Sequence, residues 1–143
     1  MNHRLNKDNI ELLLNFADGV FPLTREIAND ICIGTDPVST CTQVYGIINK
    51  ETNELVSIMT ATYMIVFPHE DGTRVVHISG AYTKDNYRHQ GHASTLLKAI
   101  ESDAKNYFRA DYLCCDSTAN KLYESNGFSV APAGETRLWK QII

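Results

Sequence analysis

The chain has 143 residues, carries a net charge of −4 at pH 7, and is 43% hydrophobic and 21% charged. A chain of this length predicts one domain that can bury a substantial core. The acidic charge, without a basic stripe, argues against nonspecific nucleic-acid binding. The apolar run from Leu55 to Phe67 is too short, and too interrupted by Ser and Thr, to cross a bilayer.

The cysteines and the N-terminus bear on location. Cys32, Cys41, Cys114 and Cys115 lack the spacing of a zinc site, and buried reduced thiols are the expected state. The segment Met1–Lys7 has no apolar core of a signal peptide. The sequence therefore predicts a cytoplasmic protein without a metal or a membrane partner, and it leaves open whether the chain forms a homodimer.

The first half of the chain predicts two helices followed by an antiparallel meander. Hydrophobic spacing indicates the helices Asn9–Phe16 and Leu23–Ile31, and turn-forming residues indicate a loop over Gly34–Thr42. The predicted strands are Gln43–Ile48, Glu54–Phe67 and Thr73–Tyr82. The connections between them are a polar turn over Asn49–Asn53 and a hairpin turn over Pro68–Gly72.

The second half predicts alternating helices and strands. A helix from Ala93 to about Phe108 is predicted to bury Leu96, Leu97, Ile100, Ala104 and Phe108. The elements predicted after it are a strand over Ala110–Cys115, a helix over Ser117–Asn126 that ends at Gly127, and one or two strands in Phe128–Ile143. This order implies a parallel crossover, so we expect an α/β or α+β domain in three layers with a mixed sheet.

The segment Tyr87–Ser94 lies at a predicted strand-to-helix junction. Arg88, Gly91 and Ala93 form the pattern R-x-x-G-x-A. The first amides of a helix lack intrahelical partners and carry the positive end of the helix dipole, and glycine lets backbone approach a ligand closely. Such a loop can hold a phosphate or pyrophosphate, although a tight turn before an ordinary helix has the same spacing. The pattern differs from a P-loop and from G-x-G-x-x-G.

This motif resembles the signature [RQ]-x-x-G-x-[GA] of the GNAT superfamily of acyl-CoA-dependent N-acyltransferases. The segment Ala119–Phe128 is similar to a second family pattern, A-x-x-[LF]-Y-x-x-x-G-F. The two motifs stand in the family's order and cover about Arg74 to Phe128. The resemblance implies one GNAT-like domain over residues 1–143, with a central mixed sheet and helices on both faces.

The resemblance also implies a coenzyme A site. The pyrophosphate would be bound, with Arg88 nearby, by the amides of His89, Gln90, Gly91, His92, Ala93 and Ser94. The pantetheine arm would follow the backbone of Tyr82, Thr83 and Lys84. Asp116 stands where the family often has an asparagine that contacts this arm, but capping of the next helix explains Asp116 equally well. His89 and His92 read as solvent-facing side chains, because no further ligands complete a metal set around them.

The resemblance suggests two catalytic residues. Tyr123 occupies the place of the family's general acid, and a phenol remains protonated at pH 7 and can donate to a developing thiolate. Otherwise Tyr123 is a core aromatic residue of an amphipathic helix. His77 lies on the predicted central strand, where family members carry a glutamate or histidine, and an ordinary imidazole suits proton abstraction near neutrality. Otherwise His77 is a strand histidine without a catalytic role, and water serves as the base.

The sequence thus predicts an N-acetyltransferase that moves an acetyl group from acetyl-CoA to a primary amine of a small molecule or peptide. Transfer would be direct, in a ternary complex. The acceptor site would be built from the first two helices and the Gly34–Thr42 loop. The alternatives are a noncatalytic acyl-CoA-binding or regulatory domain on the same fold, and a nucleotide-phosphate-binding enzyme.

Overall fold

The computed structural model describes residues 3–32, 42–66, 73–116, 120–130 and 137–142. The helices are α1 (Ile10–Ala17), α2 (Arg25–Cys32), α3 (His92–Asp103) and α4 (Asn120–Ser125). The strands are β1 (Thr42–Asn49), β2 (Glu54–Val66), β3 (Thr73–Thr83), β4 (Tyr112–Asp116), β5 (Ser129–Val130) and β6 (Arg137–Gln141). The predicted loop over 34–41, the hairpin turn over 68–72 and the helix start over 117–119 lie outside the described residues.

The strands form one mixed sheet with the order β1-β2-β3-β4-β6-β5. The β3–β4 pair is parallel, and the other pairs are antiparallel. A parallel pair needs a long crossover connection, which α3 provides. The predicted antiparallel meander followed by a parallel crossover is therefore confirmed.

Helices cover both faces of the sheet, as predicted. Leu96, Leu97 and Ile100 of α3 pack on one face against Val76 and Ile78 of β3. On the other face, a second cluster joins α1 and α2 to the sheet through Leu13, Phe16, Ala28, Val44 and Ile58. Full burial of each such aliphatic side chain contributes roughly 1.5–3 kcal/mol, so these two clusters fix the three layers. Within the described residues, no helix is long and apolar enough to span a membrane.

The C-terminal end of α3 differs from a regular helix. Residues Ala104–Phe108 continue it as one π-helical turn, which ends at Arg109 in a left-handed conformation with φ of 54°. Ala104 and Phe108 are buried, as the helical spacing predicted. The Phe108 ring packs edge-on against Tyr63, with ring centres 5.2 Å apart.

A buried polar network fastens this end of α3 to the sheet. We call Arg4, Tyr45, Tyr63 and Asp103 the tyrosine–aspartate network. The Tyr45 hydroxyl lies 2.6 Å from the Tyr63 hydroxyl and donates to Asp103 Oδ2 at 2.7 Å. Arg4 Nε lies 3.4 Å from the same carboxylate oxygen. Burial raises the pKa of Tyr63 to about 12 and raises the pKa of Tyr45 further, where the neighbouring Tyr63 and Asp103 add to the effect.

Candidate active site

A bulge in β3 interrupts its regular pairing with β2. Ile58 pairs with Tyr82 and Thr60 pairs with Ser79, so β3 has one residue more than β2 in this stretch. Gly80 sits in the bulge with φ of 58°, a conformation that glycine adopts without strain. The bulge bends the strand. The described ladder between β3 and β4 runs from Val75–Tyr112 to Ile78–Cys115, and β3 continues past its last pair to Thr83.

His77 lies beside the end of the β3–β4 ladder, on the face that α1 and α2 cover. Its neighbours Val76 and Ile78 pack toward α3, and side chains alternate along a strand. Its register partners are Thr62 on β2 and Cys114 on β4. His77 is half-buried and immediately precedes the last residue of β3 that pairs with β4.

The bulge also changes which side chains of β3 share a face. A regular strand would place Ala81 on the same face as His77 and Ser79. The bulge at Gly80 shifts the alternation, because Ser79 and Tyr82 now pair with residues of one β2 face, Thr60 and Ile58. Ala81 therefore lies on the opposite face.

Tyr123 lies on the other side of the sheet. It is 3% exposed and belongs to the α3-side cluster, together with Ile78 and Cys115 of the last β3–β4 pair. Its ring packs edge-on against Phe128 at 5.4 Å. The predicted base and the predicted acid are thus on opposite faces, and the end of the β3–β4 ladder lies between them. Their catalytic roles remain predictions.

The R-x-x-G-x-A loop has the backbone of an anion-binding turn. His89 and Gly91 adopt left-handed conformations with φ of 63° and 80°, and α3 begins directly at His92. Alternation of left- and right-handed residues turns successive amides toward one side and makes a concave nest for an anion. A Cβ placed on Gly91 would meet nothing within 4 Å, so the chain itself leaves this surface open.

The side chains of this loop mostly stabilise the loop itself. Arg88 Nε donates to the Thr83 carbonyl at 2.9 Å, and Arg88 Nη2 lies 3.0 Å from Asp85 Oδ1. Gln90 Nε2 donates to the Asn86 carbonyl at 3.3 Å. Ala93 packs at the edge of the α3-side cluster, and the Ser94 hydroxyl accepts from Asn126 Nδ2 at 3.5 Å, which links α3 to the end of α4.

The pantetheine arm is predicted to follow the backbone of Tyr82, Thr83 and Lys84. Tyr82 and Thr83 end β3 beyond the bulge, and Lys84 comes directly after them. The Tyr82 ring packs edge-on against Phe16 of α1 at 5.8 Å. The Thr83 hydroxyl lies 2.7 Å from the Ser57 hydroxyl. The Lys84 amide donates to Val56 at 2.9 Å, and its ammonium lies 5.5 Å from the centre of the Phe16 ring. These side chains are occupied within the fold, so any contact they make to the arm must use the remaining backbone groups.

Two further predictions have partial answers. Asp116 is the last residue of β4 and pairs with Arg137 of β6, but its side chain lies outside the described residues. Cofactor contact and helix capping therefore both stay predictions. In the part of the chain that the structure describes, no three His, Cys, Asp or Glu side chains are grouped to hold a metal ion.

A surface cavity of about 690 Å³ lies along α1 and its connection to α2, lined among others by Glu11, Asp18 and Phe21. It lies in the region predicted for the acceptor, but none of its lining residues is a predicted catalytic or coenzyme A residue. We therefore infer the location of the candidate site from the strand register and from the R-x-x-G-x-A loop, and not from this cavity.

Strand register also reveals polar residues that the sequence reasoning did not single out. Thr60 and Thr62 of β2 share a face with Ser79 and His77, and the Thr62 hydroxyl lies 3.4 Å from that of Thr42 on β1. A polar strip therefore runs across three strands beside His77. The available signal was the alternation of threonines in β2, together with a glycine inside the β3 pattern, which marks a bulge.

The fold and the loop together define an acyltransferase-like domain, and comparison with known proteins gives the family. Residues 45–130 match the family model described as an acetyltransferase (GNAT) domain. This match covers more than half of the chain, which therefore belongs to the GNAT family of acetyltransferases. No protein with a curated description matches the sequence.

Solved structures share the fold at low sequence identity. The acetyl-CoA complex of Arabidopsis thaliana NAA60 is 16% identical, with a TM-score of 0.71 over 97% of this chain and 96% of that one. A GNAT-family acetyltransferase of Streptococcus pneumoniae is 14% identical, with a TM-score of 0.73 over 98% and 97%. A predicted acetyltransferase of Clostridium acetobutylicum with acetyl-CoA is 16% identical, with a TM-score of 0.66 over 90% and 89%.

Proposed function

We propose that the chain transfers an acetyl group from acetyl-CoA to a primary amine of a small molecule or peptide. The observation that carries this proposal is the end of the β3–β4 ladder, which has His77 beside it on one face and the Tyr123 cluster on the other. The open nest at Gly91 lies in the connection that leads from the end of β3 into α3. Family membership and the acetyl-CoA complexes of two structural neighbours support acetyl-CoA as the acyl donor.

The donor would be held by the loop and by the end of β3. The amides from His89 to Ser94 would bind the pyrophosphate, because this end of α3 is open and carries the positive end of the helix dipole. The exposed backbone of β3 beyond the bulge would align the pantetheine arm with the end of the β3–β4 ladder. Acetyl-CoA supplies the activated acyl group, and the chain supplies position, a base and an acid.

His77 would accept a proton from the incoming ammonium group. An amine with a pKa near 10 is only about one part in a thousand neutral at pH 7, which costs about 4 kcal/mol. A half-buried imidazole on the α1 and α2 face, directly or through one water, offsets part of that cost. The amine would therefore approach from the α1 and α2 face, beside the polar strip of Thr60 and Thr62.

Tyr123 would donate to the thiolate that leaves on the opposite face. Its burial in the α3-side cluster fixes the ring, and a phenol at neutral pH carries the proton that a thiolate needs. With the acid and the base on opposite faces, the amine and the acetyl donor would meet at the end of the β3–β4 ladder. Direct transfer in a ternary complex agrees with this arrangement and with the bisubstrate analogue bound to Arabidopsis NAA60.

Steady-state kinetics of two variants test these roles. Tyr123→Phe keeps the ring and should lower kcat by about 10²-fold or more, because one preorganised donor is worth roughly 3–4 kcal/mol, while coenzyme A affinity stays nearly unchanged.

His77→Ala should lower kcat/KM by about 10²- to 10⁴-fold, with the deficit shrinking at high pH, where neutral amine is abundant.

The matched controls are Tyr107→Phe, at an exposed tyrosine, and His3→Ala, both of which should keep wild-type rates. Wild-type turnover in Tyr123→Phe, under conditions where chemistry limits the rate, would leave Tyr123 a packing residue. Acetyl-CoA binding without turnover of any amine by the wild-type protein would favour the noncatalytic acyl-CoA-binding domain.

A further inference from the structure

A second cavity, of about 280 Å³, lies at the opposite end of α3 from the R-x-x-G-x-A loop. It lies between the N-terminal segment, β1 and α3 with its π-helical turn, on the sheet face that α3 covers. At about 30 Å³ for each water molecule, its volume equals that of roughly nine waters, which is room for a small metabolite. Its lining includes Arg4, Tyr45, Ser102, Asp103, Asn106 and Tyr107.

An ion pair between Arg4 and Asp103 lines this cavity. The two side chains are only 13% and 17% exposed, so both charges have lost much of their hydration. Arg4 Nε lies 3.4 Å from Asp103 Oδ2, which is longer than the roughly 2.7–2.9 Å of a strong charge-assisted bond. A buried pair offsets its desolvation only with close geometry and further hydrogen bonds. This pair would therefore gain from a ligand that adds such bonds.

The acidic side of the cavity offers acceptors to an ammonium group. The Tyr45 hydroxyl and Arg4 Nε both contact Oδ2 of Asp103, and no donor among the described residues forms a hydrogen bond with Oδ1. Asn106 Nδ2 donates to the Ser102 hydroxyl at 3.2 Å, so the amide oxygen of Asn106 is a second acceptor at the cavity. An ammonium carries three N–H donors and can use both oxygens.

We propose that this cavity binds a free α-amino acid with an acidic side chain. The α-carboxylate of the ligand would bind the Arg4 guanidinium, and the α-ammonium would bind Asp103 Oδ1 and the Asn106 amide oxygen. A ligand head group with a single charge would match one member of the ion pair and be repelled by the other. A zwitterion is complementary to both.

The neighbouring surface favours an acidic side chain on this ligand. Two residues of the cavity also line a groove of about 580 Å³, together with Lys98, Lys105 and Lys140. Lys140 pairs with Glu101 at 2.6 Å. In the part of the chain that the structure describes, Lys98 and Lys105 have no ion-pair partner, so the groove has an excess of positive charge. A carboxylate that extends from the cavity into the groove would be attracted to it.

Calorimetry with the intact chain, without acetyl-CoA, tests the head group. L-Glutamate is compared with two analogues at pH 7 and constant ionic strength. 2-Hydroxyglutarate has a hydroxyl in place of the ammonium, and isoglutamine has an amide in place of the α-carboxylate. We expect L-glutamate to bind, and each analogue to bind at least about tenfold more weakly, because each leaves one charge of the ion pair unmatched. Glutamine, which lacks the side-chain charge, should bind about two- to fivefold more weakly.

Two variants locate the ligand. Asn106→Leu removes the amide acceptor at an exposed position, so the fold should be kept while L-glutamate affinity falls by about tenfold or more. Lys105→Glu should weaken L-glutamate by about fivefold and leave glutamine nearly unchanged. Lys50→Glu, at an exposed lysine in the turn between β1 and β2, is the matched control and should bind both ligands as the wild-type protein does.

Equal affinities for L-glutamate and the two analogues, or an unchanged L-glutamate affinity in Asn106→Leu, would show that the amino acid binds elsewhere or not as a zwitterion. No binding of L-glutamate to the folded wild-type protein would likewise overturn the proposed site. None of these results bears on the proposed acetyl transfer, because this cavity shares no residue with the proposed catalytic and coenzyme A sites.

Discussion

The two ends of α3 differ in how closely the rest of the chain surrounds them. The N-terminal end begins at the left-handed Gly91, with backbone that the chain leaves open. The C-terminal end is closed by Asp103, which bonds to Tyr45 and pairs with Arg4, and by a π-helical turn that buries Ala104 and Phe108. We propose that the first end receives coenzyme A, whereas the second holds the helix in place.

The comparison suggests how one end of a helix can stay open in a small domain. Twelve residues separate the two ends, or about 18 Å at the α-helical rise of 1.5 Å per residue. The first amides of a helix have no intrahelical partners, so contacts elsewhere along the helix must position it. The buried tyrosine–aspartate network does this at the far end, where it does not obstruct the ligand.

The largest expected effect is on ligand binding at the N-terminal end. Gly91→Glu puts a negative side chain into the nest, and like charges brought together cost several kcal/mol, so coenzyme A affinity should fall by at least about 100-fold. Calorimetry measures this change. Gly91→Ala is the matched control, because its Cβ meets nothing within 4 Å and only the left-handed backbone is strained. Equal affinities in wild type and Gly91→Glu would place the pyrophosphate elsewhere.

The next effect is on stability at the C-terminal end. Asp103→Ala removes the acceptor of Tyr45 and the partner of the Arg4 side chain, which is 13% exposed. We expect a loss of about 2–3 kcal/mol in the free energy of unfolding, measured by denaturant titration. Ser102→Ala, at an exposed neighbour, should change stability by less than about 0.5 kcal/mol. Coenzyme A affinity in folded Asp103→Ala should stay near wild type, and a large loss would show that the two ends are not independent.

A smaller effect appears at high pH. Burial raises the pKa of Tyr63 to about 12 from an ordinary 10.0, so the folded protein keeps a proton that the unfolded chain loses. This contribution to stability is complete below about pH 10. It is lost as the pH rises toward 12, at up to about 1.4 kcal/mol per pH unit. Tyr63→Phe should reduce this slope, whereas Tyr107→Phe, at a tyrosine that is 60% exposed, should not. Identical slopes in all three proteins would contradict the raised pKa.

The open end of α3 could be predicted from the sequence, and the closed end could not. R-x-x-G-x-A is a local pattern, and the burial of Leu96, Leu97 and Ile100 follows from helical spacing. The Tyr45–Asp103 bond joins residues 58 positions apart, and no local pattern encodes such a contact. The π-helical turn was likewise read as regular helix, because its buried residues keep nearly helical spacing.

For the candidate site, too, the sequence predicts the local features and not the contacts between distant residues. The sequence identified His77 and Tyr123 as candidates, because suitable residue types stand at the positions that the family uses. Their placement on opposite faces depends on strand register and on the docking of α4. The bulge at Gly80 shifted Ala81 to the other face, because one extra residue reverses the alternation of a strand. Arg88 was expected to supply charge to the ligand, and its pairing with Asp85 follows from a turn geometry that the motif alone does not specify.

The most direct test of the central claim is a turnover assay of the wild-type protein with acetyl-CoA and a library of primary amines and peptides. Thiol release and mass spectrometry of the acceptors would be followed together. The proposed function predicts that at least one amine gains one acetyl group for each coenzyme A released, and that release without amine is negligible. Acetyl-CoA that binds but is never consumed with any amine, by a protein whose folded state is verified, would contradict it.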